Sequence, residues 1–392
     1  MICGCARRGI VAFFLDLTFV SRPVRPKLVL VCTPDLRQGG GVTNYYRTLH
    51  LDDMEGVDYF AINRDGTRSI VSKAWHALLI VGSFLRKART YPLIHLNPSF
   101  NRKSYYRDLV LVYLARLLGA RTLVFFRGWD ERFEARIRGS RFQRALFRWT
   151  YGRATAYVVL GDYFKQRLLT LGVAATKQVH VETTVANSVG TEDLDVEAKV
   201  ATAASGFRVL FLSRILREKG IYIAIDAFAS FQRAQPGQQM SLHIAGSGPE
   251  LEAVRAYVAQ KAMTGVVFEG DVADARKADL LRRCHVMLFP TFHGEGLPNC
   301  ILEGMLFGMA IVTRPVAAIP EIVQDGVNGL LAESLDAERF ADALCKLMRD
   351  PALLRRMAIA NREVALRRFR PKVVRERLRE IYAETVRDPC VA

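Results

Sequence analysis

The chain has 392 residues, half of them hydrophobic, and a formal net charge of +17 at pH 7. This length is sufficient for two α/β domains with separate cores, and the apolar content excludes a disordered chain. No run of about 18 apolar residues occurs, so we predict no membrane-spanning helix. The seven cysteines, an odd number, favour a reducing compartment such as the cytoplasm over a disulfide scaffold.

The first 26 residues have part of the pattern of a leader. Arg7 and Arg8 precede an apolar run over residues 9–15, as in the first two regions of a signal peptide. Asp16 interrupts this run, and no small-residue cleavage site precedes the first predicted strand. We therefore expect residues 1–26 to be a leader, a surface anchor or the product of a mistaken start.

The first half of the chain alternates apolar strands with helical stretches. Residues 27–33 predict the first strand, and Gly39, Gly40 and Gly41 separate it from a helix that starts at Val42. Three consecutive glycines favour a close approach of the backbone to a ligand, or else a flexible surface loop. Further strands are predicted at residues 93–97, 122–126 and 156–160. This βαβα order predicts a doubly wound parallel sheet.

Cations crowd residues 101–153, where aromatic side chains alternate with them on predicted amphipathic helices. The aromatic residues are Tyr105, Tyr106, Trp129, Phe142, Phe147 and Trp149. Such a face attracts anionic lipid headgroups, and charge alone would equally attract nucleic acid. No nucleic-acid-binding motif accompanies it, so we predict an anionic membrane surface as a partner and no nucleic acid. A solvated basic surface is the alternative.

The second half repeats the strand and helix alternation after a break at residues 187–206. We predict a first domain over 27–195, a second over 205–370 and a final helix over 371–392. The strand at 207–213 is followed by Arg214 and Lys219. An arginine fork and a mobile lysine at a strand end suit a pyrophosphate, although both residues are equally explained as solvent-facing charges.

Two further strands of this half end in glycine turns, one at Gly246 and one at Gly270. Glycine has no Cβ, so these turns would allow the backbone to approach a nucleotide closely. A β-turn without a ligand explains them equally well.

The most informative segment is residues 293–303, with the sequence H-G-E-G-L-P-N-C-I-L-E. It follows an apolar strand, and Leu297-Pro298 predicts the first turn of a helix. Glu295 therefore lies on the loop and Glu303 within the helix. Open α/β sheets bind ligands at the carboxyl ends of their strands, where helix amino termini offer free N–H groups. An isolated pair of this kind would be read as a capping acid and a solvated helix residue.

The E-x7-E spacing and the later segment P-E-I-V-Q-D-G-V-N-G-L-L, at residues 320–331, together resemble the retaining glycosyltransferases of family 4. The resemblance covers most of residues 205–345 and, more weakly, the first half. It implies the GT-B fold, in which two Rossmann-like doubly wound domains face each other across a cleft and the last helix crosses back to the first domain.

The resemblance also implies an activity. A sugar would pass from a nucleoside-diphosphate sugar to a glycan or a polyisoprenyl-diphosphate-linked acceptor, in cell-surface polysaccharide synthesis. The protein would be cytoplasmic and peripheral on the inner face of the cell membrane. No residue set has metal-site spacing and no D-x-D follows a strand, so we expect no cofactor and no metal.

By resemblance, Glu303 would hold the donor ribose, Arg214 and Lys219 the diphosphate, and Glu295 the transferring sugar. The other donor-binding residues that the resemblance implies are Gly40, Gly41, Gly246, Gly270, His293, Gly296, Leu297 and Pro298. Within enzymes, the same fold also supports nucleotide-sugar epimerases and phosphorylases. A membrane-surface binding protein without catalytic activity is the alternative of a different class.

The first half departs from the family at one position. After the strand at 122–126 the family commonly has a histidine near the reacting end of the sugar, whereas this chain has Arg127, followed by Asp130. Arg127 would stabilise a leaving phosphate or an anionic acceptor, and Asp130 would orient it, but neither reproduces a neutral imidazole. His95 ends an earlier strand and is more readily explained as a structural residue than as part of the cleft.

Overall fold

The computed structural model describes residues 27–63, 70–294 and 296–387, with backbone alone for residues 70–74. The predicted leader over residues 1–26 and the predicted site residue Glu295 lie outside the described residues.

The first domain is a six-stranded parallel sheet covered by helices. The strands of the first domain are β1 (Val29–Thr33), β2 (Val57–Ala61), β3 (Leu93–Leu96), β4 (Ser99–Phe100), β5 (Arg121–Phe125), β6 (Gly128–Trp129), β7 (Ala156–Val159) and β8 (Gln178–Val181). The helices of the first domain are α1 (Gly41–Leu49), α2 (Ile70–Ala88), α3 (Arg102–Leu117), α4 (Glu131–Gly139), α5 (Arg141–Trp149) and α6 (Asp162–Thr170). The sheet order is β2-β1-β3-β5-β7-β8, and β4 and β6 pair separately beyond its carboxyl edge.

The second domain has the same plan. The strands of the second domain are β9 (Phe207–Leu212), β10 (Met240–Ala245), β11 (Val266–Gly270), β12 (Val286–Phe289), β13 (Ala310–Thr313) and β14 (Gly329–Leu331). The helices that follow the first domain are α7 (Val196–Ala201), α8 (Ile221–Ala234), α9 (Leu251–Gln260), α10 (Asp274–Arg283), α11 (Asn299–Leu306), α12 (Ala337–Arg349), α13 (Pro351–Arg368) and α14 (Pro371–Arg387). The order β11-β10-β9-β12-β13-β14 places the switch point, where such sheets bind ligands, between β9 and β12.

The burial of the inner strands explains why the alternation of strands and helices could be predicted from the sequence. Strands β3, β7 and β12 are buried over their whole length, and a parallel sheet covered on both faces requires such continuous apolar runs. The edge strands β2 and β8 are partly exposed, and their sequences lack these runs.

The stretch between the two predicted domains contains a helix instead of a bare linker. Helix α7 packs against α13, and Lys199 within it is buried. The Lys199 ammonium donates hydrogen bonds to the carbonyl oxygens of Leu281 at 2.8 Å and Phe307 at 2.6 Å, at the ends of α10 and α11. These bonds attach residues 196–201 to the second domain.

Helix α14 packs against the first domain, where it meets α1, β3 and β5. Its Tyr382 hydroxyl lies 2.8 Å from Nδ1 of His95, which is fully buried and stacks on Phe125. Burial lowers the pKa of His95 to about 3, so the ring is neutral. His95 therefore fills a structural position under α14 and does not line the cleft.

The basic segment divides its aromatic residues between core and surface. Tyr105, Phe147 and Trp129 are buried, so they cannot meet a membrane as predicted. Phe142 is 72% exposed and Trp149 46% exposed on α5. Among the described residues, no helix combines the length and apolar character needed to cross a bilayer.

Candidate active site

The carboxyl edges of the two sheets meet along a closed seam. A Cβ atom on Gly296 would lie 2.8 Å from Leu160 Cδ1 and 3.0 Å from the carbonyl oxygen of Arg127. Beside this contact, the Thr184 hydroxyl donates a hydrogen bond to Asn299 Oδ1 at 2.8 Å. The loop that precedes α11 is therefore pressed directly against the strand ends of the first domain.

A second contact across the seam is electrostatic. The Glu321 carboxylate accepts hydrogen bonds from the backbone N–H groups of Asp162, at 2.8 Å, and Tyr163, at 2.9 Å. These groups open α6, where the helix dipole favours an anion. Gly161 allows this approach, because a Cβ there would lie 2.6 Å from Glu321 Oε1.

Two cavities open on either side of the seam. The first, of about 700 Å³, is called here the Trp129 cavity. Its lining consists of Ser99, Phe100, Asn101, Gly128, Trp129, Asp130, Glu131, Arg132, Glu218, Phe292, His293 and Gly294. It combines exposed aromatic surface from Phe292 with carboxylates and one guanidinium, a lining that suits a polar ligand with hydroxyl groups.

The second cavity, of about 660 Å³, is called here the Glu303 cavity. Its lining consists of Asn44, Arg47, Thr48, His50, Val185, Asn187, Ser188, Val189, Val272, Ala273, Asp274, Lys277, Asn299, Glu303 and Pro371. Residues from both domains contribute, so a ligand bound there would contact both.

Glu303 is buried on the wall of the second cavity, with 7% of its surface exposed. The Lys277 ammonium, from α10, donates a hydrogen bond to Glu303 Oε1 at 2.6 Å. The alternative reading of Glu303 as a solvated helix residue is therefore wrong. Its second carboxylate oxygen leaves an acceptor for a ligand hydroxyl.

Arg214 and Lys219 follow β9 at the switch point of the second sheet. Arg214 is exposed, and Lys219 is half-buried in the turn that precedes α8. That turn is fixed in place, because the Glu218 carbonyl accepts hydrogen bonds from the N–H groups of Phe292, at 3.0 Å, and His293, at 3.1 Å. Both cations stand at the strand end, but neither is part of the lining of either cavity.

The predicted glycines have different roles. A Cβ on Gly246 would lie 1.9 Å from the carbonyl oxygen of Ser213, so the neighbouring backbone by itself requires a glycine there. Gly270 has a φ of +70° with open space around it. Gly40 and Gly41 begin α1, where Gly40 is the N-cap without a side-chain hydrogen bond.

The loop before α11 brings together only part of the predicted set. His293 is exposed and lines the Trp129 cavity, and Gly296 forms the seam. Leu297 and Pro298 are buried and contribute to neither cavity lining, so their side chains support the loop instead of binding a donor. Pro298 precedes α11 as its N-cap, one step before the predicted first turn.

Arg127 and Asp130 lie on opposite sides of β6. Asp130 lines the Trp129 cavity, but its Oδ1 caps α4 by accepting hydrogen bonds from the N–H groups of Arg132, at 2.9 Å, and Phe133, at 3.1 Å. Arg127 lies in the seam, with its guanidinium 3.7 Å from the centre of the Tyr45 ring. The structure therefore separates the two residues that the sequence placed together.

Sequence reasoning missed three contributors to this site: Lys277, Asn299 and Glu321. Asn299 and Glu321 belong to the two motif segments, so their positions offered a signal, whereas Lys277 carried none. Within the part of the chain that the structure describes, no cluster of three or more His, Cys, Asp or Glu side chains is placed to hold a metal ion.

Comparison with known proteins supports the resemblance drawn from the motifs. Residues 206–350 match the family model described as "Glycosyl transferases group 1". Phosphatidyl-myo-inositol mannosyltransferase from Mycobacterium leprae is 33% identical over 182 residues, which are 46% of this chain and 47% of that protein. Alpha-D-kanosaminyltransferase from Streptomyces kanamyceticus is 24% identical over 239 residues, 59% of this chain and 61% of that protein. The chain spans about half the length of most of these curated relatives.

Solved structures match over nearly the whole chain. The Anabaena protein HepE, in complex with UDP-glucose, has a TM-score of 0.68 and 17% identity, and the match covers 91% of this chain and 99% of that one. Sucrose-phosphate synthase from Thermosynechococcus elongatus has a TM-score of 0.67 and 18% identity, over 91% and 98% of the two chains. At these identities the likeness establishes the fold, and the predicted GT-B architecture is confirmed.

Proposed function

We propose that this chain, whose residues 206–350 match the group 1 glycosyltransferases, is a retaining glycosyltransferase that uses a nucleoside-diphosphate sugar. The observation that carries the proposal is the buried Glu303 carboxylate on the wall of a cavity formed by both domains. A carboxylate held in this way is suited to accept hydrogen bonds from the hydroxyls of a ribose.

The donor would lie across the seam from Glu303 towards the turn that carries Lys219. The Arg214 guanidinium and the Lys219 ammonium would bind the diphosphate, whose negative charge grows as the sugar departs. Glu295 and the backbone amides beside it would hold the transferring sugar. The charges of Arg214 and Lys219 would replace the positive charge of a metal ion, so we propose that the reaction needs no metal.

The reaction itself would proceed on one face of the sugar. The bond from the anomeric carbon to the diphosphate oxygen breaks as the acceptor oxygen bonds to that carbon, and the acceptor hydroxyl gives its proton to the leaving phosphate. The protein then contributes orientation and charge stabilisation, without a nucleophilic side chain.

Similar proteins support the donor class. HepE is described in complex with UDP-glucose, and the relative from Mycobacterium leprae is named a mannosyltransferase. We propose a glycan or a polyisoprenyl-diphosphate-linked acceptor, which would enter through the Trp129 cavity. Cell-surface polysaccharide synthesis would be the process served.

An acceptor of that kind requires a membrane, and helix α5 is suited to one. Its exposed residues share one helical face in which cations alternate with apolar side chains: Arg141, Phe142, Arg144, Ala145, Arg148 and Trp149. We call these six residues the α5 face. Its aromatic rings would enter the headgroup region while its guanidinium groups meet anionic lipids.

Neighbouring helices extend this apolar surface. The Trp149 ring lies 4.7 Å from the Tyr113 ring of α3, and α3 packs against α2. On these helices Leu117 is 64% exposed and Leu78 is 65% exposed. We therefore propose that the first domain docks on the cytoplasmic face of the membrane through α5, α3 and α2.

A thermal-shift screen tests the proposed activity. The full chain is heated with UDP, GDP or ADP, each with and without EDTA, and then with sugars of the nucleotide that binds. We expect the nucleotide of one base to raise the melting temperature of the protein, and we expect EDTA to leave this increase unchanged. No shift with any nucleotide would favour the non-catalytic membrane-binding protein. Product analysis after incubation with the nucleotide sugar that binds separates the enzymes, because free sugar or sugar phosphate would favour an epimerase or a phosphorylase.

A further inference from the structure

Arg127 occupies the wall between the two cavities. The residues that follow it in the chain, Gly128 and Trp129, line the Trp129 cavity. On its other side, its Nη2 lies 3.4 Å from the hydroxyl of Thr184, which bonds Asn299 on the wall of the Glu303 cavity. In a glycosyltransferase with the donor in one cavity and the acceptor in the other, this wall is where the two substrates meet.

Two aromatic rings fix the orientation of the Arg127 guanidinium, and its hydrogen bonds are incomplete. It stacks at 3.7 Å from the centre of the Tyr45 ring and 4.5 Å from that of Phe125. Its Nη1 is buried and makes no hydrogen bond of good geometry, and the Tyr45 hydroxyl interacts with the guanidinium. Among the described residues, no carboxylate oxygen forms an ion pair with a guanidinium nitrogen of Arg127 at 4.0 Å or less.

A structural role alone does not account for this arrangement. Arg127 is partly buried, so its cation is partly removed from water without an anion to pair with, and an N–H without a well-placed acceptor adds to that cost. An apolar side chain of similar length would fill the space between Tyr45 and Phe125 without either penalty. A planar guanidinium held by stacking is, however, pre-organised to bind the two oxygens of a phosphate or a carboxylate.

We propose that Arg127 binds an oxyanion of the substrate at the junction of the two cavities, an inference that rests on the proposed function. The oxyanion has two possible sources: the diphosphate of the donor, or the carboxylate of an acidic transferred sugar. In both cases the anion would be held where the two domains meet.

The closed seam gives this site a further property. Gly296 packs against the backbone of Arg127, and Nη1 is buried, so we expect the oxyanion to reach Nη1 when the seam opens. Closure around the substrate would then bring an acceptor to Nη1. Binding of the oxyanion would thus be coupled to closure of the two domains.

Calorimetric titration of the full chain tests the proposal with three proteins: wild type, R127M and R127K. R349M, which removes an exposed arginine from α12, is the control. The probes are UDP, UDP-glucose and UDP-glucuronate or, if guanosine is the preferred base, GDP, GDP-mannose and GDP-mannuronate. If ADP is preferred, ADP and ADP-glucose are compared, with ADP-glucuronate as the acidic probe.

If the oxyanion is the diphosphate, R127M binds every probe at least tenfold more weakly than the wild-type protein does. If it is the sugar carboxylate, R127M leaves the nucleotide alone unchanged but removes at least a tenfold preference for the acidic sugar over the neutral one. R127K, which keeps the charge but not the fork, gives an intermediate loss. In both cases the melting temperature of ligand-free R127M is equal to or above that of wild type.

Equal affinities of wild type and R127M for every probe would overturn the role of Arg127 and leave the proposed function intact. A fall in the ligand-free melting temperature without a change in affinity would assign Arg127 a structural role instead. Failure of the wild-type protein to bind any of the nucleotides would overturn the proposed function and this inference together.

Discussion

The seam between the domains has two unlike sides. The second domain presents charged groups after a strand and within a helix, namely Arg214 and Lys219 after β9 and Glu303 in α11. The first domain presents aromatic rings, and the Arg127 guanidinium stacks on two of them. A nucleoside diphosphate has the same charges whatever sugar it carries, so the side that binds it requires charged residues at fixed places. Under the proposed function, the first-domain side would have no such requirement, and its chemistry would follow the acceptor and the transferred sugar.

The sharpest test of this difference is the substitution K219A. If the second domain stabilises the departing diphosphate, turnover should fall by about 100- to 1000-fold, the usual loss when one donor to a developing anion is removed. Folding should change little, since Lys219 is only half-buried in a turn. Steady-state kinetics with the donor found by the thermal-shift screen measures the first effect, and the melting temperature the second.

Arg217 provides a matched control for that experiment. It is a cation in the same turn, but it is exposed and stacks on the Tyr222 ring at 4.8 Å. R217A should keep near-normal turnover. Normal turnover in K219A would remove Lys219 from the site, and an equal loss in both variants would show that general positive charge, not position, is what matters.

The first domain can be tested at the α5 face, where membrane docking is proposed. Replacing Phe142 and Trp149 by serine should weaken binding to vesicles of equal parts phosphatidylcholine and phosphatidylglycerol by about 30-fold. This estimate allots about 1 kcal/mol to each partly inserted ring. Co-sedimentation measures the change, and the activity on a water-soluble acceptor should not move.

An equivalent exposed pair in the second domain is the control. Val327 is 55% exposed and Leu335 is 48% exposed, but neither adjoins the α5 face. V327S/L335S should bind vesicles like wild type. If F142S/W149S does so as well, the exposed rings of α5 do not meet a membrane, and the basic surface is solvated.

The same contrast explains what could be predicted from the sequence. Arg214, Lys219 and Glu303 could be proposed from the sequence because each lies inside one strand–turn–helix unit, where local pattern and chemistry coincide. The edge strands β2 and β8 and the three-residue β14 lack a continuous apolar run, so no strand was predicted there. Local periodicity is informative where the backbone is buried on both faces.

Contacts between distant parts of the chain carried no such signal. Lys277 reaches Glu303 from another helix, and nothing in the local sequence of either residue indicates that pair. In the basic segment, the pattern predicted amphipathic helices but not which face is covered, because that depends on neighbouring helices. Phe147 is thus buried and Phe142 exposed on the same helix.

The smallest expected effect concerns the contact that joins the two sides. Glu321 reaches from the second domain to the N–H groups of Asp162 and Tyr163 at the start of α6. E321Q removes the negative charge, and its amide NH2 group faces one of the two backbone N–H groups, where no hydrogen bond can form. The closed seam should therefore become less favourable. If only the closed form binds the donor well, KM for the donor should rise about tenfold, which corresponds to about 1.4 kcal/mol.

Small-angle X-ray scattering of the ligand-free protein gives an independent measure of the same change, since an opened seam increases the radius of gyration. E333Q, at an exposed glutamate in the same domain, should alter neither quantity. A larger radius with an unchanged KM would mean that the donor closes the domains without help from Glu321. An unchanged radius and an unchanged KM would mean that packing of Gly296 against the first domain is sufficient to hold the seam, and that the two sides depend on shape more than on charge.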